Sequence, residues 1–502
     1  MGEDFEPALP ARHLPTIKPL TDPLAPALVR ASSRLAPPPT PVASMLIHAG
    51  VIVVWVALFL LAFGQGGVFA WSVGLAYLVY DTVLQVFTAW QIRRITVAGA
   101  APPDTARSTL AVIVAAYNEA TALPATLAAL LDQDDPPDEI LIADDGSTDG
   151  TAELLVAQFG LTAPNLEGAS TPKVVKATSM IWLRLRHGGK AHALNAALIA
   201  TTADVAVTVD ADTVPEPRAI GVVRQAFSSE PELAGITGII TPVCRPSPSA
   251  RVLQWFQTYE YIRNFLGRYA WMRIDCLELI SGAFSGFRRR AVIDVGGFDD
   301  ICLVEDYELV HRMRRYAGER GLVWRFRVLG DAQARTEAPG SVAALLRQRR
   351  RWFGGFLQTQ WWYRAMVGDQ RMGRLGTLML PIKAIDTVQP LYGLTAFVLL
   401  IVFVVTGRLG ILGPVALVVI GKLVIDVAFR VWSVQMYRRW VGDPRRANLA
   451  SEVVLTLVEP FTYQLLLYVG AVLGWFAFLG GEQRWGRQQR FGLPVGEAPR
   501  SS

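Results

Sequence analysis

Acidic residues recur at four places in the middle of the chain, three of them directly after a short apolar run. In chain order they lie in Tyr117-Asn118-Glu119, Asp144-Asp145-Gly146-Ser147, Asp210-Ala211-Asp212 and Glu305-Asp306. The sequence has no Cys/His cluster with metal-ligand spacing, so these carboxylates point to a hard cation, Mg²⁺ or Mn²⁺. Such an ion usually binds through one or two carboxylates and completes its shell with substrate phosphates. A single acidic pair is more often a solvated turn, so the interpretation depends on the whole set.

The apolar runs before these acids predict the elements that position them. Ala111–Ala116, Ile140–Ala143 and Val205–Val209 are predicted as buried strands, and Thr121–Leu131 and Thr151–Phe159 as helices. Repeated strand–helix–strand order predicts a doubly wound α/β sheet with right-handed crossovers. Ligands of such sheets bind at the carboxyl ends of the strands, which is where the acids fall. No Walker sequence or G-x-G-x-x-G follows a strand, which argues against a P-loop ATPase and a dinucleotide-binding domain.

The composition places this domain in a membrane protein. Of 502 residues, 52% are hydrophobic and 18% are charged, against a charged share of about 25% in ordinary soluble domains. The net charge of +5 does not indicate a nucleic-acid partner, because the basic residues lie mostly beside apolar segments, as membrane topology requires. The three cysteines form no C-x-x-C pair, which predicts reduced thiols in a cytosolic domain.

The chain divides into six predicted segments. They are a Pro-rich disordered arm over residues 1–44, a transmembrane hairpin over 45–92, a cytoplasmic α/β domain over 93–371, an amphipathic helix along the membrane interface over 372–386, three transmembrane helices over 387–481 and a tail over 482–502. Asp81 interrupts the second span. An acid at membrane depth is either functional or hydrogen-bonded to another helix, and the sequence leaves both open.

The distribution of arginine predicts the orientation of these spans. Arg93 and Arg94 follow the second span, a basic group that starts at Arg430 precedes the last one, and the opposite loops hold only Arg408. Because positive charge accumulates on the cytoplasmic side, we predict a multi-pass protein of the cell membrane with its α/β domain in the cytoplasm. The tail carries three arginines, which favours the cytoplasm, whereas five spans would place it outside; the sequence leaves this conflict open.

Seven motifs in chain order resemble a known family, the processive glycosyltransferases of family 2, which include cellulose, chitin, hyaluronan and poly-N-acetylglucosamine synthases. The motifs are VAAYNEA (114–120), DDGSTDGT (144–151), GGKAHALN (188–195), DAD (210–212), SGAFSGFRR (281–289), ED (305–306) and QRRRW (348–352). The motif SGAFSGFRR (281–289) is most similar to the poly-N-acetylglucosamine and chitin-like branch. The resemblance implies a fold of the GT-A type, a doubly wound sheet domain inserted between transmembrane helices.

For the donor nucleotide, the resemblance implies five contact residues. Tyr117 would stack on uracil and Glu119 would make a polar contact nearby; the alternative is that Tyr117-Asn118 only fills a turn. Asp144 and Asp145 would hydrogen-bond the uracil edge or the ribose, and the alternative for either is an Asx turn that leads into the next helix. Lys190 would counter negative charge in the nucleotide pocket.

The metal and the general base are implied in the same way. Asp210 would contact both ribose and metal, and Asp212 would be a metal ligand. Asp306 would be the general base that takes a proton from the acceptor hydroxyl, although an ordinary helix cap fits Glu305-Asp306 equally well. Many relatives have Thr before this pair where this chain has Val304, which weakens any role for a hydroxyl there.

The last motif supplies the predicted acceptor contacts. Gln348, Arg351 and Trp352 are spaced to lie on one face of a helix that starts near Ser341. The resemblance implies that the guanidinium reaches the diphosphate and that the indole stacks on the acceptor sugar. The alternative is a basic helix anchored at the lipid headgroups, and Arg349 and Arg350 are assigned to that role.

The function implied is inverting, metal-dependent transfer of a sugar, with N-acetylglucosamine as the first choice, from a UDP-sugar to a growing polysaccharide. The membrane spans would pass the polymer through the bilayer, with a small membrane accessory subunit as a suggested partner. One alternative is a non-processive enzyme that makes a membrane glycolipid. A second is a transporter or scaffold with a degenerate cytosolic domain, against which the complete set of acids counts.

Overall fold

A mixed β-sheet of ten strands forms the centre of the protein, whose computed structural model describes residues 23–95, 106–444, 448–482 and 492. The strands are β1 (Leu110–Ala116), β2 (Glu139–Asp144), β3 (Gly168–Ala169), β4 (Lys173–Val175), β5 (Thr178–Arg184), β6 (Val205–Asp210), β7 (Thr213–Pro215), β8 (Leu233–Val243), β9 (Phe284–Arg288) and β10 (Arg325–Glu337). Their order is β3-β5-β2-β1-β6-β9-β8-β10-β7, with β4 paired to β5.

The four central strands β5, β2, β1 and β6 run parallel. Of these, β1, β2 and β6 are almost entirely buried, which is why they read as apolar runs in the sequence. β9 reverses direction between β6 and β8, so the sheet is mixed. The three strands predicted from the sequence lie within one residue of β1, β2 and β6 at either end.

Fifteen helices surround the sheet and extend away from it in the described part of the chain. They are α1 (Ala25–Ala31), α2 (Val42–Gly64), α3 (Ser72–Ile92), α4 (Leu123–Leu131), α5 (Thr151–Phe159), α6 (Lys190–Ala200), α7 (Ala219–Ser229), α8 (Pro248–Met272), α9 (Arg289–Asp294), α10 (Glu305–Arg320), α11 (Val342–Trp362), α12 (Leu380–Val405), α13 (Leu412–Trp440), α14 (Leu449–Val458) and α15 (Tyr463–Leu479). Ser341 caps α11 by accepting a hydrogen bond from the amide of Ala344.

Residues 23–44 are ordered, which corrects the prediction of a disordered arm over 1–44; residues 1–22 lie outside the described part. Helix α1 packs on the loop before α10, where Gly296 approaches Leu28 so closely that an added Cβ would lie 2.1 Å from its amide nitrogen. Arg34 forms a bidentate ion pair with the buried Asp299 in the same loop. The composition predicted disorder because the surface that orders this arm is distant in the sequence, with Arg34 and Asp299 separated by 265 residues.

Five segments are long and apolar enough to cross a membrane: Val42–Gly64, Gly67–Ile92, Leu375–Val405, Leu409–Trp440 and Leu449–Leu479. Many of their side chains are exposed and apolar, as lipid contact requires. The acid in the second segment, Asp81, accepts hydrogen bonds from Lys422 of α13 at 2.7 Å and from Gln85. This inter-helix pairing is one of the two roles that the sequence allowed.

The predicted interface helix over 372–386 is instead part of a longer helical segment, Leu375–Val405. Its charged residues had suggested a position along the membrane surface. Lys383 pairs with Asp386 at 2.8 Å and with Glu278 of the α/β domain at 3.4 Å, and Tyr80 donates to Asp386. Because these charges are neutralised by neighbouring protein groups, the helix continues through them.

The last apolar segment begins and ends beside the α/β domain. At its start, α13 ends at Trp440, which packs on Gly330 and Tyr269 of that domain. A turn at Glu459–Phe461 then breaks the segment into α14 and α15. At its end, Gln358 of α11 donates to the carbonyl of Glu482 at 3.0 Å, and further on the amide of Gly492 donates to Glu337 at the end of β10. We therefore expect a re-entrant segment and four crossings rather than five.

This topology predicts that the tail lies on the same side of the membrane as the α/β domain. In a Ser502→Cys variant, a membrane-impermeant thiol reagent is expected to label the protein only when it is added on the side of the α/β domain. The native Cys244, Cys276 and Cys302 are buried, so they should give little background labelling. A Gly66→Cys variant, in the turn between α2 and α3, serves as the reference for the opposite side. Labelling of both positions from the same side of intact membranes would show that the last segment crosses.

Candidate active site

The carboxyl ends of the central strands bring four sequence motifs to one edge of the sheet. The parallel register aligns Ala116 of β1 with Asp144 of β2, and Ala115 with Asp210 of β6. The amide of Asp210 donates to the carbonyl of Ala283, just before the antiparallel β9. Residues that follow β1, β2 and β6 therefore lie next to the loop that precedes β9, as expected for a ligand site of an α/β sheet.

Lys190, from the motif GGKAHALN, joins the motif at the end of β6 to the one at the start of α10. It begins α6, and its Nζ lies 2.6 Å from Asp210 Oδ1 and 3.3 Å from Glu305 Oε1. Although burial acts to lower it, Asp210 and Glu305 raise the pKa of Lys190 above its ordinary value. The lysine is therefore a fixed positive charge between the end of β6 and the start of α10. Its position among two carboxylates suits a group that also attracts a negatively charged ligand.

Asp306 lies at the start of α10 and faces the same edge. Its Oδ2 accepts a hydrogen bond of 2.6 Å from the amide of Gly282, and its Oδ1 accepts from the amide of Tyr307. A Cβ on Gly282 would lie 2.9 Å from that Oδ2, so glycine is needed for this approach. The partly exposed carboxylate keeps free lone pairs beside these two bonds, so it can accept a further hydrogen bond from a ligand hydroxyl.

Glu305 and Val304 hold this end of α10 in place. Glu305 is buried and contacts Lys190; burial raises the pKa of Glu305, and Lys190 opposes that increase. Val304 packs on Gly355 of α11, where an added Cβ would lie 2.5 Å from a valine methyl. A valine at this position thus serves packing between α10 and α11. Glu305 had no assigned role in the sequence analysis.

Asp144 and Asp145 both bind nearby backbone. Asp144 accepts from the amide of Ser147, which is the Asx turn considered as the alternative. The oxygens of Asp145 accept from the amides of Gly188 and Gly189 at 2.8 and 2.9 Å. Burial acts to raise the pKa of Asp145, but hydrogen bonds from His192 and these two amides hold it below the usual carboxyl value. Asp145 thus holds the loop before Lys190 in place. Nucleotide binding by Asp144 or Asp145 stays a prediction.

Two aromatic rings, those of Tyr117 and His187, lie at this edge of the sheet. Tyr117 is 37% exposed and stacks on His187 with ring centroids 4.2 Å apart. Glu119 is buried, and its amide donates to Thr151 Oγ1, so it belongs to the turn after β1. His187 was missed from the sequence, although its position directly before Gly188-Gly189-Lys190 was the available signal.

Asp210 and Asp212 are the residues that could hold a divalent cation. No group of three or more His, Cys, Asp or Glu side chains that could bind a metal occurs in the described part of the chain. Two carboxylates spaced by one residue at the end of β6 fit a Mg²⁺ or Mn²⁺ ion that takes its other ligands from phosphate oxygens. Asp212 is buried and within 3.5 Å of Thr336 Oγ1.

Gln348, Arg351 and Trp352 lie on α11, which packs against α10 and α15. Gln348 is 8% exposed, and its Oε1 is buried with no hydrogen-bond partner among the described residues. An unpaired buried acceptor is costly, so this atom is suited to a donor group on a ligand. Arg351 acts electrostatically on Glu305, which places its charge near the start of α10.

Arg349 is not a membrane-interface residue, which corrects the sequence interpretation. It is buried, pairs with Glu260 Oε2 at 2.8 Å, and lies over the ring of Trp352 with its Cζ 4.4 Å from the centroid. Burial acts to lower the pKa of Arg349, and Glu260 raises it to a net increase. Arg350 pairs with Glu482. The periodicity of α11 did not reveal these roles because the acids come from distant elements.

Comparison with known proteins identifies what this domain resembles. Residues 106–355 match the family described as "Glycosyltransferase like family 2". The poly-beta-1,6-N-acetyl-D-glucosamine synthase of Staphylococcus aureus (strain COL) is 29% identical over 246 residues, 48% of this chain and 53% of that protein. The synthase of the same name from Staphylococcus epidermidis is 28% identical over 250 residues, with the same coverage. The chain thus spans about half the length of these curated relatives.

Among solved structures, the mannosyltransferase PcManGT from Pyrobaculum calidifontis in complex with GDP-Man and Mn²⁺ is similar. The TM-score is 0.51 at 20% identity, over 78% of this chain and 99% of that chain. At this identity the similarity concerns the fold alone. It confirms the predicted fold class, a GT-A-like mixed α/β sheet domain flanked by long apolar helices.

Proposed function

Because the chain belongs to glycosyltransferase family 2 through residues 106–355, we propose that it is a processive, inverting β-glycosyltransferase of the membrane. The proposed donor is a UDP-sugar, with N-acetylglucosamine as the sugar, and the proposed acceptor is a growing polysaccharide. The choice of sugar rests on the similarity to the two synthases, which covers about half of each. We further propose that the α/β domain faces the cytoplasm, on the arginine distribution.

The observation that carries the proposal is the pair of contacts made by Lys190. They join the motif at the end of β6, where the donor diphosphate would bind, to Glu305-Asp306, where a base would act. Residues 115 positions apart in the sequence thus meet in one cleft. A half-buried lysine between carboxylates of two distant motifs favours an intact site over a scaffold with a degenerate domain.

The proposed reaction uses these residues as follows. Asp306 accepts the proton of the acceptor hydroxyl, whose oxygen forms a bond to the anomeric carbon while the bond to the UDP oxygen breaks on the opposite face. Configuration at that carbon inverts, and UDP leaves with the electron pair of the broken bond. Asp210 and Asp212 would hold a divalent ion, which when bound stabilises negative charge on the diphosphate. Lys190 and Arg351 supply positive charge near the same group.

Processivity is proposed from the position of α11 between the site and the membrane helices. Trp352, held by the Arg349 guanidinium, offers an aromatic face for a sugar ring. The tight contact between α11 and α15, in which Gly470 and Gly474 approach Arg349 and Phe353, links this face to the last apolar segment. An acceptor bound there would advance by one unit without leaving. A small membrane accessory subunit remains part of the proposal.

The test is incubation of the purified protein with UDP-N-acetylglucosamine and Mn²⁺. We expect UDP release and a high-mass product from the wild type, and a shorter product from Trp352→Ala with unchanged UDP affinity, because only the acceptor platform is lost. Trp361→Ala is the matched control, since Trp361 lies on the same helix but is 55% exposed, and its product length should not change. A single solvent-extractable glycolipid from the wild type would instead identify a non-processive enzyme.

A further inference from the structure

Arg268, on helix α8, is half-buried, and no carboxylate of the described residues forms an ion pair with its guanidinium. Its Nε and Nη1 atoms are buried and have no hydrogen-bond partner among the described residues. The contact that the structure shows for this group is the ring of Phe265, whose centroid lies 4.7 Å from Arg268 Cζ. A buried guanidinium whose donors are left unpaired carries a free-energy cost that the fold does not repay by itself.

Two buried arginines of the same domain use all three guanidinium nitrogens as donors. Arg312 donates to Glu308 and to the carbonyl of Val295, and Arg224 donates to Asp135, Asp138 and backbone carbonyls. Arg349 leaves its Nε unpaired but has Glu260 as a counter-ion at 2.8 Å. Among the described residues Arg268 has no such carboxylate bonded to it, which suits it to a partner from a ligand. The missing partner must offer oxygen lone pairs, because a guanidinium can only donate.

The surroundings of Arg268 place it on the acceptor side of the site. The Asp306 carboxylate acts electrostatically on Arg268, yet both oxygens of Asp306 bond to the amides of Gly282 and Tyr307. Tyr261, two turns earlier on α8, interacts electrostatically with both Arg268 and Arg349. Arg268 is therefore close enough to Asp306 to interact with its charge, and it shares Tyr261 as a neighbour with Arg349, the arginine that contacts Trp352.

The charge of Arg268 persists at neutral pH. Burial lowers the pKa of the guanidinium to about 10, although Asp306 acts to raise it. The group thus stays protonated while an acceptor binds.

We propose that Arg268 is an acceptor-binding residue that donates hydrogen bonds to oxygen atoms of the terminal sugar of the glycan acceptor. By doing so it orients the attacking hydroxyl toward Asp306. The inference rests on the proposed function, because it takes an acceptor glycan as the ligand. It adds α8 to the elements that form the acceptor subsite, beside α10 and α11.

The test compares Arg268→Gln with the wild type, using UDP-N-acetylglucosamine as donor and an N-acetylglucosamine tetrasaccharide as the added acceptor. We expect the KM for the tetrasaccharide to rise at least tenfold in the variant, while the Kd for UDP changes by less than twofold. Arg273→Gln is the matched control, since Arg273 follows α8 directly and is exposed, and both constants should stay at the wild-type values.

Several outcomes would overturn the inference. An unchanged acceptor KM in Arg268→Gln removes Arg268 from the acceptor subsite, and a parallel loss of UDP affinity assigns it to the diphosphate instead. If Arg268→Gln binds no UDP and is misfolded, Arg268→Lys decides, with an intermediate rise in acceptor KM expected and no rise contradicting the proposal. Failure of the wild type to extend the tetrasaccharide contradicts the proposed function itself and takes this inference with it.

Discussion

Asp306→Asn is expected to reduce sugar transfer by roughly 10²- to 10⁴-fold, the usual contribution of a positioned general base. The amide has the size of the carboxylate and keeps one of its two backbone hydrogen bonds, to Gly282 or to Tyr307. It cannot take the proton of an acceptor hydroxyl at neutral pH. The measurement is kcat for UDP release in the presence of acceptor, together with the Kd for UDP, which should stay close to the wild-type value.

Asp300→Asn provides the control for this experiment. Asp300 lies six residues before Asp306, in the loop that leads to α10, and its side chain is exposed. Its replacement should leave both kcat and UDP affinity unchanged. Wild-type kcat in Asp306→Asn would remove Asp306 as the base and would return Glu305-Asp306 to the role of a helix start.

Asp212→Ala is expected to abolish the metal dependence of UDP binding and to lower transfer by roughly 10²- to 10³-fold, which is typical when one group that stabilises developing charge is removed. Asp212 is buried at the end of β6, so no neighbouring acid replaces it without moving the strand. UDP affinity is measured by titration in Mn²⁺ and again after chelation. The wild type should lose affinity on chelation, and the variant should be weak under both conditions.

Asp204→Asn tests the specificity of that effect. Asp204 precedes the same strand at its opposite end, where its carboxylate accepts from the backbone amide and hydroxyl of Thr109. This variant should keep the wild-type response to chelation. A wild-type response in Asp212→Ala as well would contradict the assignment of Asp212 as a metal ligand.

Several strands and helices of this protein are predicted by its sequence, because a buried element shows a recognisable pattern of apolar residues within a few positions. Strands β1, β2 and β6 are short apolar runs since both faces of the sheet are covered, and α5 has the predicted bounds, Thr151–Phe159. The face of α11 that carries Gln348, Arg351 and Trp352 follows from helical spacing alone. The family motifs likewise stand in the sequence, and with them the identity of the acids that matter.

Only the tertiary structure decided which groups the charged side chains pair with. Arg349 and Arg350 have the same type and adjacent positions, yet one is buried on Glu260 and Trp352 while the other pairs with Glu482. The charged residues Lys383 and Asp386 suggested a helix at the membrane surface, but within a longer helix they pair with each other, Lys383 also pairs with Glu278, and Tyr80 donates a hydrogen bond to Asp386. Charge has no periodicity that reveals its counter-ion, because the counter-ion comes from another part of the chain.

The sequence by itself determined the strands, the apolar helices and the set of acids, since each depends on the pattern of neighbouring residues. The meeting of Lys190 with Asp210 and Glu305, the docking of residues 23–44 on Gly296 and Asp299, and the return of the last apolar segment to the α/β domain depend on sheet register and on contacts between distant residues. Such contacts are set by the packing of whole elements, which no local pattern encodes.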